Sequence, residues 1–310
     1  STAFSGIDDG LIQLVMERLA EATYADLPDV ATELVQTVTS RQDSFWSSEE
    51  LVDWSVPTLA VKTLRKIGAT DTDNAKTLTP TELAQEYTQN DGWWQIDSTY
   101  RQYIDATQSA TVPYPHEAAV KQRVTDHYMS FLQEINRPLA NELSDDPSLG
   151  LSQTDFYEEF ADPNKGTAII ICDGLRYELA ERIKKNLERS TDFEQSIDAM
   201  SAAVPSVTEV GMAAHLPGTL GLSVEDDDLV VTSGGEVMSK KSDRVERFND
   251  AGFDVVTMDD VNSISITELS ETDPVPRVVY SATIDKLGES LDDDAAFSRV
   301  ASHIDDVERT

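Results

Sequence analysis

Basic residues are scarce in this chain, where 24 Lys and Arg face 58 Asp and Glu for a formal net charge of -34. That shortage excludes a broad, sequence-independent grip on nucleic acid, which depends on Lys and Arg neutralising phosphates and which high salt weakens. Cysteine is almost absent. The one thiol, Cys172, rules out an internal disulfide or a cysteine zinc cage, and its place inside an apolar run marks it as a small core residue. No signal-peptide pattern and no apolar run of about eighteen residues appears in these residues, so a membrane-spanning helix is not expected within them. The expectation is a cytoplasmic protein, and the start on Ser1 without an initiator Met suits a piece cut from a longer chain.

What is present is a globular composition. The 310 residues are 39% hydrophobic, with aromatics spread along the whole length, enough for two domains or for one large α/β domain with a helical appendage. The acid is spread as well. Runs such as Asp226-Asp227-Asp228 and Asp292-Asp293-Asp294 punctuate loops, and the pattern resembles the surface of haloarchaeal proteins. In molar salt the Debye length falls to roughly 3 Å, which screens the self-repulsion of such a chain. A mesophilic protein with one functional acidic face would instead cluster its acid. Any nucleic-acid contact must be local, at Lys184-Lys185 or at Lys240-Lys241 with Arg244 and Arg247, although basic residues at helical spacing usually form a solvated face.

Residues 1–160 read as an all-α domain. Leu11, Leu14, Val15, Leu19 and then Val30, Leu34, Val38 recur at helical spacing. Ser47 with Glu50, and Thr79 with Glu82 across Pro80, have capping-box spacing and predict two further helix starts. A long helix is expected from Pro115 to Leu139, ending near Pro138, and the aromatics between Gly92 and Arg101 are expected to anchor helices rather than to bind.

Residues 161–310 change character and read as an α/β domain. Thr167 to Cys172 is a continuous β-branched run bounded by turn residues, the pattern of a strand buried on both faces of a parallel sheet. A helix follows with Leu175, Leu179, Ile183 and Leu187 on one face and Glu178 four residues before Arg182 on another. Ser239 to Ala251 is expected as helix with Gly252 as its cap, Asp254 to Met258 and Arg277 to Ala282 as strands, and Ala295 to Arg309 as a last amphipathic helix. This alternation implies a doubly wound, mostly parallel sheet.

Ligands of such sheets sit at the carboxyl ends of the strands. Asp173 occupies one of those ends, where it could equally cap the next helix. Ser206 and Glu209 have capping-box spacing, which would put Thr208 in the first turn of a short helix, a plausible nucleophile seat beside free amides. An ordinary capped helix with an exposed threonine fits the same residues, and His215 on that helix is expected to pack. Asp285, beyond the third strand and followed by Gly288 and Glu289, offers hard oxygen ligands suited to magnesium, manganese or zinc, or forms a turn.

Taken together, these segments resemble one family. Ile171-Cys172-Asp173-Gly174-Leu175-Arg176-Tyr177-Glu178, and Val204-Pro205-Ser206-Val207-Thr208 through Gly211-Met212-Ala213-Ala214 and Leu216-Pro217, are similar to two signatures of the PglZ domain family of the alkaline-phosphatase superfamily. Trp94 to Ile104 and the helix after it resemble the region preceding that domain. The resemblance implies an alkaline-phosphatase-like core in which two divalent ions, zinc or manganese ahead of magnesium, bracket a phosphoryl group. Asp173 would bind one ion, Thr208 would be a metal-bound nucleophile, and Asp285 would bind the second with Glu289 where many relatives place a His. It also implies a role in BREX-type or phage-growth-limitation defence, beside other defence proteins such as a DNA methyltransferase, with a phosphate-ester substrate.

The sequence departs from the superfamily pattern in one respect. No Asp-His-Gly-like strand end follows Asp285, and His303 lies within the last expected helix. The expectation is therefore an incomplete core, in which the intact protein is a metal-dependent phosphodiesterase or phosphatase and this chain is weakly active or inactive. A non-catalytic scaffold of the defence complex is the alternative. A small-molecule phosphomutase would share the metal site but not the helical front end.

Overall fold

The computed structural model describes residues 2–42, 52–143, 152–165, 167–190, 194–263, 276–282 and 284–286. They fall into two compact units, within residues 1–147 and 148–290. The first is helical throughout its described residues, with long helices α1 (Thr2–Glu21), α2 (Leu27–Gln42), α3 (Ser55–Gly68), α6 (Trp94–Ser109) and α7 (Glu117–Leu143) and the short α4 (Thr72–Ala75) and α5 (Pro80–Thr88). Their apolar stripes meet in one core that includes Val15, Leu19, Leu34, Val38, Trp54, Leu64, Tyr103 and Phe131. Each such side chain contributes about 1.5–3 kcal/mol by leaving water.

The stripe on α1 is rotated from the expected one. Leu14 is exposed, and Ile12, Val15, Met16 and Leu19 form the buried face, a spacing of three, one and three that keeps all four on one side of the helix. The capping box at Thr79 forms as expected. Glu82 N donates to the Thr79 hydroxyl at 3.3 Å, and Thr79 N donates to the Glu82 carboxylate at 2.8 Å, satisfying two otherwise orphaned amides. The box expected at Ser47 and Glu50 lies outside the described residues. Pro138 does not end α7 but lies within it, near enough to the terminus that its missing N–H disturbs only the last turns. Trp94, Tyr100 and Tyr103 are buried, which is the anchoring role expected of that segment.

The second unit is mixed α/β. Its strands are β1 (Ala168–Cys172), β2 (Leu220–Glu225), β3 (Asp228–Ser233), β4 (Glu236–Val237), β5 (Asp254–Thr257) and β6 (Arg277–Ser281), and its α-helices are α8 (Phe156–Phe160), α9 (Tyr177–Ser190), α10 (Thr208–Ala214), α11 (Lys241–Asp250) and α12 (Met258–Ser263). β1, β6 and β5 form a parallel sheet in that spatial order. Ile169, Ile171, Val278, Val210, Leu216, Phe248 and Phe253 fill the core of this unit.

Three features differ from the expectation. β1 is buried on one face only: Ile169 and Ile171 are inside while Ile170 is 43% exposed, and the strand lies at the edge of the three rather than at their centre. β2, β3 and β4 form an antiparallel sheet that the strand-helix alternation did not foretell. Its first hairpin turns on Asp226 and Asp227, both in the left-handed region at φ 51° and 68°, which Asp tolerates better than most residues. Finally, α10 begins at Thr208 with Val207 as its N-cap and no side-chain cap bond, so the expected Ser206 box is not formed. The last expected helix and His303 lie outside the described residues.

Candidate functional site

Parallel pairing brings the carboxyl ends of strands to one edge. Here the register sets Cys172 beside Ser281, and Tyr280 beside Thr257, so the segments leaving all three strands begin next to each other. The Asp173 amide donates to the Ser281 carbonyl at 2.9 Å, tying the exit from β1 to the end of β6. Gly174 then turns with φ 76°. A Cβ at that position would lie 3.3 Å from the Asp285 amide nitrogen and 3.3 Å from the Ile284 side chain, so the turn after Asp173 rests on the backbone that carries Asp285.

A cavity of about 240 Å³ opens at this edge. Asp173 lines it from the end of β1, Thr208 from the first residue of α10, Lys241 and Arg244 from the first turn of α11, Tyr280 from β6 and Lys286 from the segment after it. Met212, Met258 and Ala282 add apolar wall. Asp173 and Thr208 thus meet at one cavity. Asp285 approaches only through its backbone at Gly174 and is not among the lining residues. Glu289 lies outside the described residues.

The balance of charge at this cavity runs opposite to that of the chain. Lys241, Arg244 and Lys286 line the cavity with one carboxylate, that of Asp173, and the Asp260 carboxylate lies close enough to Lys241 to be stabilised by its charge. Arg244 is anchored by Nη1, which donates to the Met238 carbonyl at 3.0 Å and the Ser239 carbonyl at 3.4 Å. Lys241 Nζ stands 5.9 Å from the centre of the Tyr280 ring, within cation–π range. The Tyr280 hydroxyl is buried and has no hydrogen-bond partner among the described residues. Burial pushes its pKa up to about 12, against an opposing pull from Arg244, so it is a neutral donor at physiological pH.

Two other residues singled out in the sequence take structural places. His215 has its Nε2 3.3 Å from the Gln153 side-chain amide and stands edge-on to the Phe156 ring, and burial lowers its pKa. Cys172, expected in the core, is only half-buried at the end of β1, and partial burial raises the pKa of its thiol. Sequence reasoning noticed Lys241 and Arg244 only as part of a basic face and passed over Tyr280 and Lys286. The available signal was position, since both lie at the carboxyl end of the strand that leads to Asp285.

Among the described residues no group of three or more His, Cys, Asp and Glu side chains is placed to hold a metal ion. The donors that line the same cavity, the Asp173 carboxylate and the Thr208 hydroxyl, are hard oxygens whose chemistry fits one divalent ion. A second ion would need ligands that the described residues do not bring to this edge.

Residues 156–308 match the family described as PglZ, the BREX system PglZ alkaline phosphatase-like domain. The chain is similar to the "Alkaline phosphatase-like protein PglZ" of Bacillus cereus (strain H3081.97), with 24% identity over 229 residues that cover 70% of this chain and 26% of the relative. It therefore spans about a quarter of that relative's length. No solved structure matches. No helix among the described residues is long and apolar enough to cross a membrane.

Proposed function

Because residues 156–308 of this chain are a PglZ-type, alkaline-phosphatase-like domain, we propose that it belongs to a cytoplasmic anti-phage defence protein of the BREX type, working in high salt, whose site acts on a phosphate ester. The observation that carries this reading is the meeting of Asp173 and Thr208, from separate segments, at one cavity on the carboxyl edge of the parallel sheet. Thr208 is the proposed nucleophile. Its hydroxyl oxygen attacks phosphorus, a new P–O bond forms as the ester P–O bond breaks, and the alcohol departs with a proton; water then releases phosphate from the threonine. Asp173, Thr208 and Asp285 are the proposed ligands of a divalent ion, zinc or manganese ahead of magnesium, with Glu289 a fourth candidate. Such an ion, when bound, supplies charge stabilisation to the phosphoryl oxygens and lowers the pKa of the hydroxyl. Other defence proteins, a DNA methyltransferase among them, are the proposed partners.

The test is hydrolysis of bis(4-nitrophenyl) phosphate and 4-nitrophenyl phosphate in molar KCl with added zinc or manganese. Thr208→Ala should lower the rate by up to about six orders of magnitude, the scale on which deleting a nucleophile acts. Asp173→Asn should lower both the rate and the zinc retained in equilibrium dialysis. A second reading, a non-catalytic scaffold of the defence complex, draws on the limited donor set at this edge. It is favoured if no turnover is seen with any ion and if the full-length gene carrying Asp173→Ala and Thr208→Ala still protects cells from phage.

A further inference from the structure

Acid is spread along this chain, yet no residue between Glu209 and Glu225 carries a formal charge. The end of that interval is β2, which stands at one edge of the antiparallel sheet and pairs with no strand on its outer side among the described residues. Natural edge strands are commonly blunted by a lysine, a proline or a bulge. Leu220 to Val224 contains neither residue, and its register with β3 is unbroken. That register also fixes which backbone groups are free. Glu225 and Asp228 flank a two-residue turn, so they exchange both of their hydrogen bonds, and every second pair behind them does the same. The bond from Gly234 N to the Thr219 carbonyl, at 3.0 Å, has the same parity. The N–H and C=O groups of Leu220, Leu222 and Val224 therefore point outward, away from β3. The side chains of these three residues share a face with those of Leu229, Val231 and Ser233. This face begins in the core, where Val231 and Ser233 are buried, and runs out beyond it, where Leu222 and Leu229 are exposed and Val224 is 72% exposed. A free edge and an uncovered apolar face thus fall on the same residues, a combination that marks a contact surface.

We propose that β2 is the contact strand of a twofold dimer, in which it pairs antiparallel with β2 of a second copy about an axis through the Leu222 pair, perpendicular to the sheet. An interface on a twofold axis must be complementary to itself, and β2 meets that condition. With the axis at Leu222, that residue lies opposite Leu222 of the second copy, and Leu220 lies opposite Val224. All of these positions have outward-pointing backbone groups, so each pair exchanges both of its hydrogen bonds. Their side chains stay on one face. Val224, which overhangs its own core, comes beside Leu220 of the second copy, a residue that packs on the core of its unit. Charge selects the direction of pairing. The hairpin tip is Glu225 followed by Asp226, Asp227 and Asp228, and parallel pairing would set two such tips side by side. Antiparallel pairing sets each tip beside the uncharged Thr219 and Gly218 instead. It holds the two Glu225 residues about 20 Å apart along the strands, far beyond the roughly 3 Å Debye length of molar salt. A single strand pair covers less than the roughly 1,200–2,000 Å² of stable complexes, so the dimer is reversible and governed by concentration. None of these residues lines the cavity at Asp173, and the proposal stands apart from the phosphate-ester reading.

Sedimentation velocity of this chain in molar KCl, over a series of concentrations, should show a reversible monomer–dimer equilibrium. Leu222→Glu sets like charges opposite each other at the axis and should weaken the dimer by at least about 10-fold. Val224→Glu, at a side chain the fold leaves in water, should weaken it on the same scale. The melting temperature of both variants should stay near that of the wild type, which separates lost pairing from lost folding. Val237→Glu is the control: Val237 is exposed as well but lies on the opposite face of the sheet, and its replacement should leave association unchanged. Because position 222 meets itself, a mixture of Leu222→Glu and Leu222→Lys should recover association that neither variant shows alone. A wild-type chain that stays monomeric at every concentration overturns the proposal, whether or not the edge then takes a strand from a different protein. So does association that survives Leu222→Glu and Val224→Glu combined, growth past the dimer into open chains, or a mixture that recovers nothing.

Discussion

Polar cavities open in both units, and one in the helical unit, larger than that at the sheet edge, makes the weaker case for a site. In the helical unit a cavity of about 390 Å³ is lined by Arg65, Lys66, Asp71, Glu86, Gln89 and Gln95 among others. Its polar groups largely serve one another. The Lys66 ammonium donates to the Gln95 side chain, Gln89 donates to Glu86 at 2.7 Å, and Asp71 accepts the Asn74 amide at 3.0 Å. The cavity at the sheet edge is smaller, about 240 Å³, and there three cations accompany one carboxylate and a buried hydroxyl has no mate among the described residues. The lesson is that unused bonding capacity, more than empty volume, marks where a ligand belongs.

Core substitutions put the largest strain on this comparison. Trp54→Ala and Phe248→Ala each remove a fully buried aromatic and should cost about 3–5 kcal/mol of unfolding free energy in denaturant titrations. Phosphate affinity of the folded Trp54→Ala protein should be unchanged, whereas Phe248→Ala, at the base of the helix that carries Lys241 and Arg244, should weaken it. Loss of phosphate binding in Trp54→Ala would break the contrast between the units. A smaller effect should appear on acidification. Burial lowers the pKa of His127 in the helical unit and of His215 in the α/β unit, so the unfolded chain takes up these protons first as pH falls. Their contribution to stability is full above about pH 6.5, the ordinary histidine value, and declines below it. Melting temperature followed from pH 8 to pH 5 in molar KCl should fall, and His127→Gln or His215→Gln should flatten the profile. Thr79→Ala, which removes the capping box of α5, should cost about 1 kcal/mol, read as a shift in the denaturation midpoint. The smallest expected effect is none at all: Lys66→Gln, in the helical cavity, should leave phosphate affinity as it was.

How much of this could be read from the sequence depended on whether the cause was local. β1 and the acid at its end were legible because a β-branched run between turn residues has few other structures open to it. The same holds for α11 and for β5 and β6. The β2–β3 hairpin escaped because Asp226-Asp227 reads as a charged loop, although Leu220, Leu222 and Val224 alternate before it and Gly234-Gly235 mark a second turn. Leu14 and Met16 exchanged roles because a four-residue stripe does not fix the phase of a helix until its neighbours are known. At the site, Asp173 and Thr208 were visible as residue types in the right local settings. Tyr280, Lys286 and the convergence of Lys241 with Arg244 were not, since what joins them is the pairing of β1, β5 and β6 across long stretches of chain.

Gly174 has an implication for how this protein tolerates change. The residue has no side chain to bind or react, yet any replacement would have to adopt a disfavoured backbone angle and press on the amide of Asp285. One mutation there would push two separate loops apart together. A library screened for lost phosphate binding should therefore collect damage at position 174 as readily as at the charged positions themselves, and a Gly174→Ala allele would behave like a double mutant.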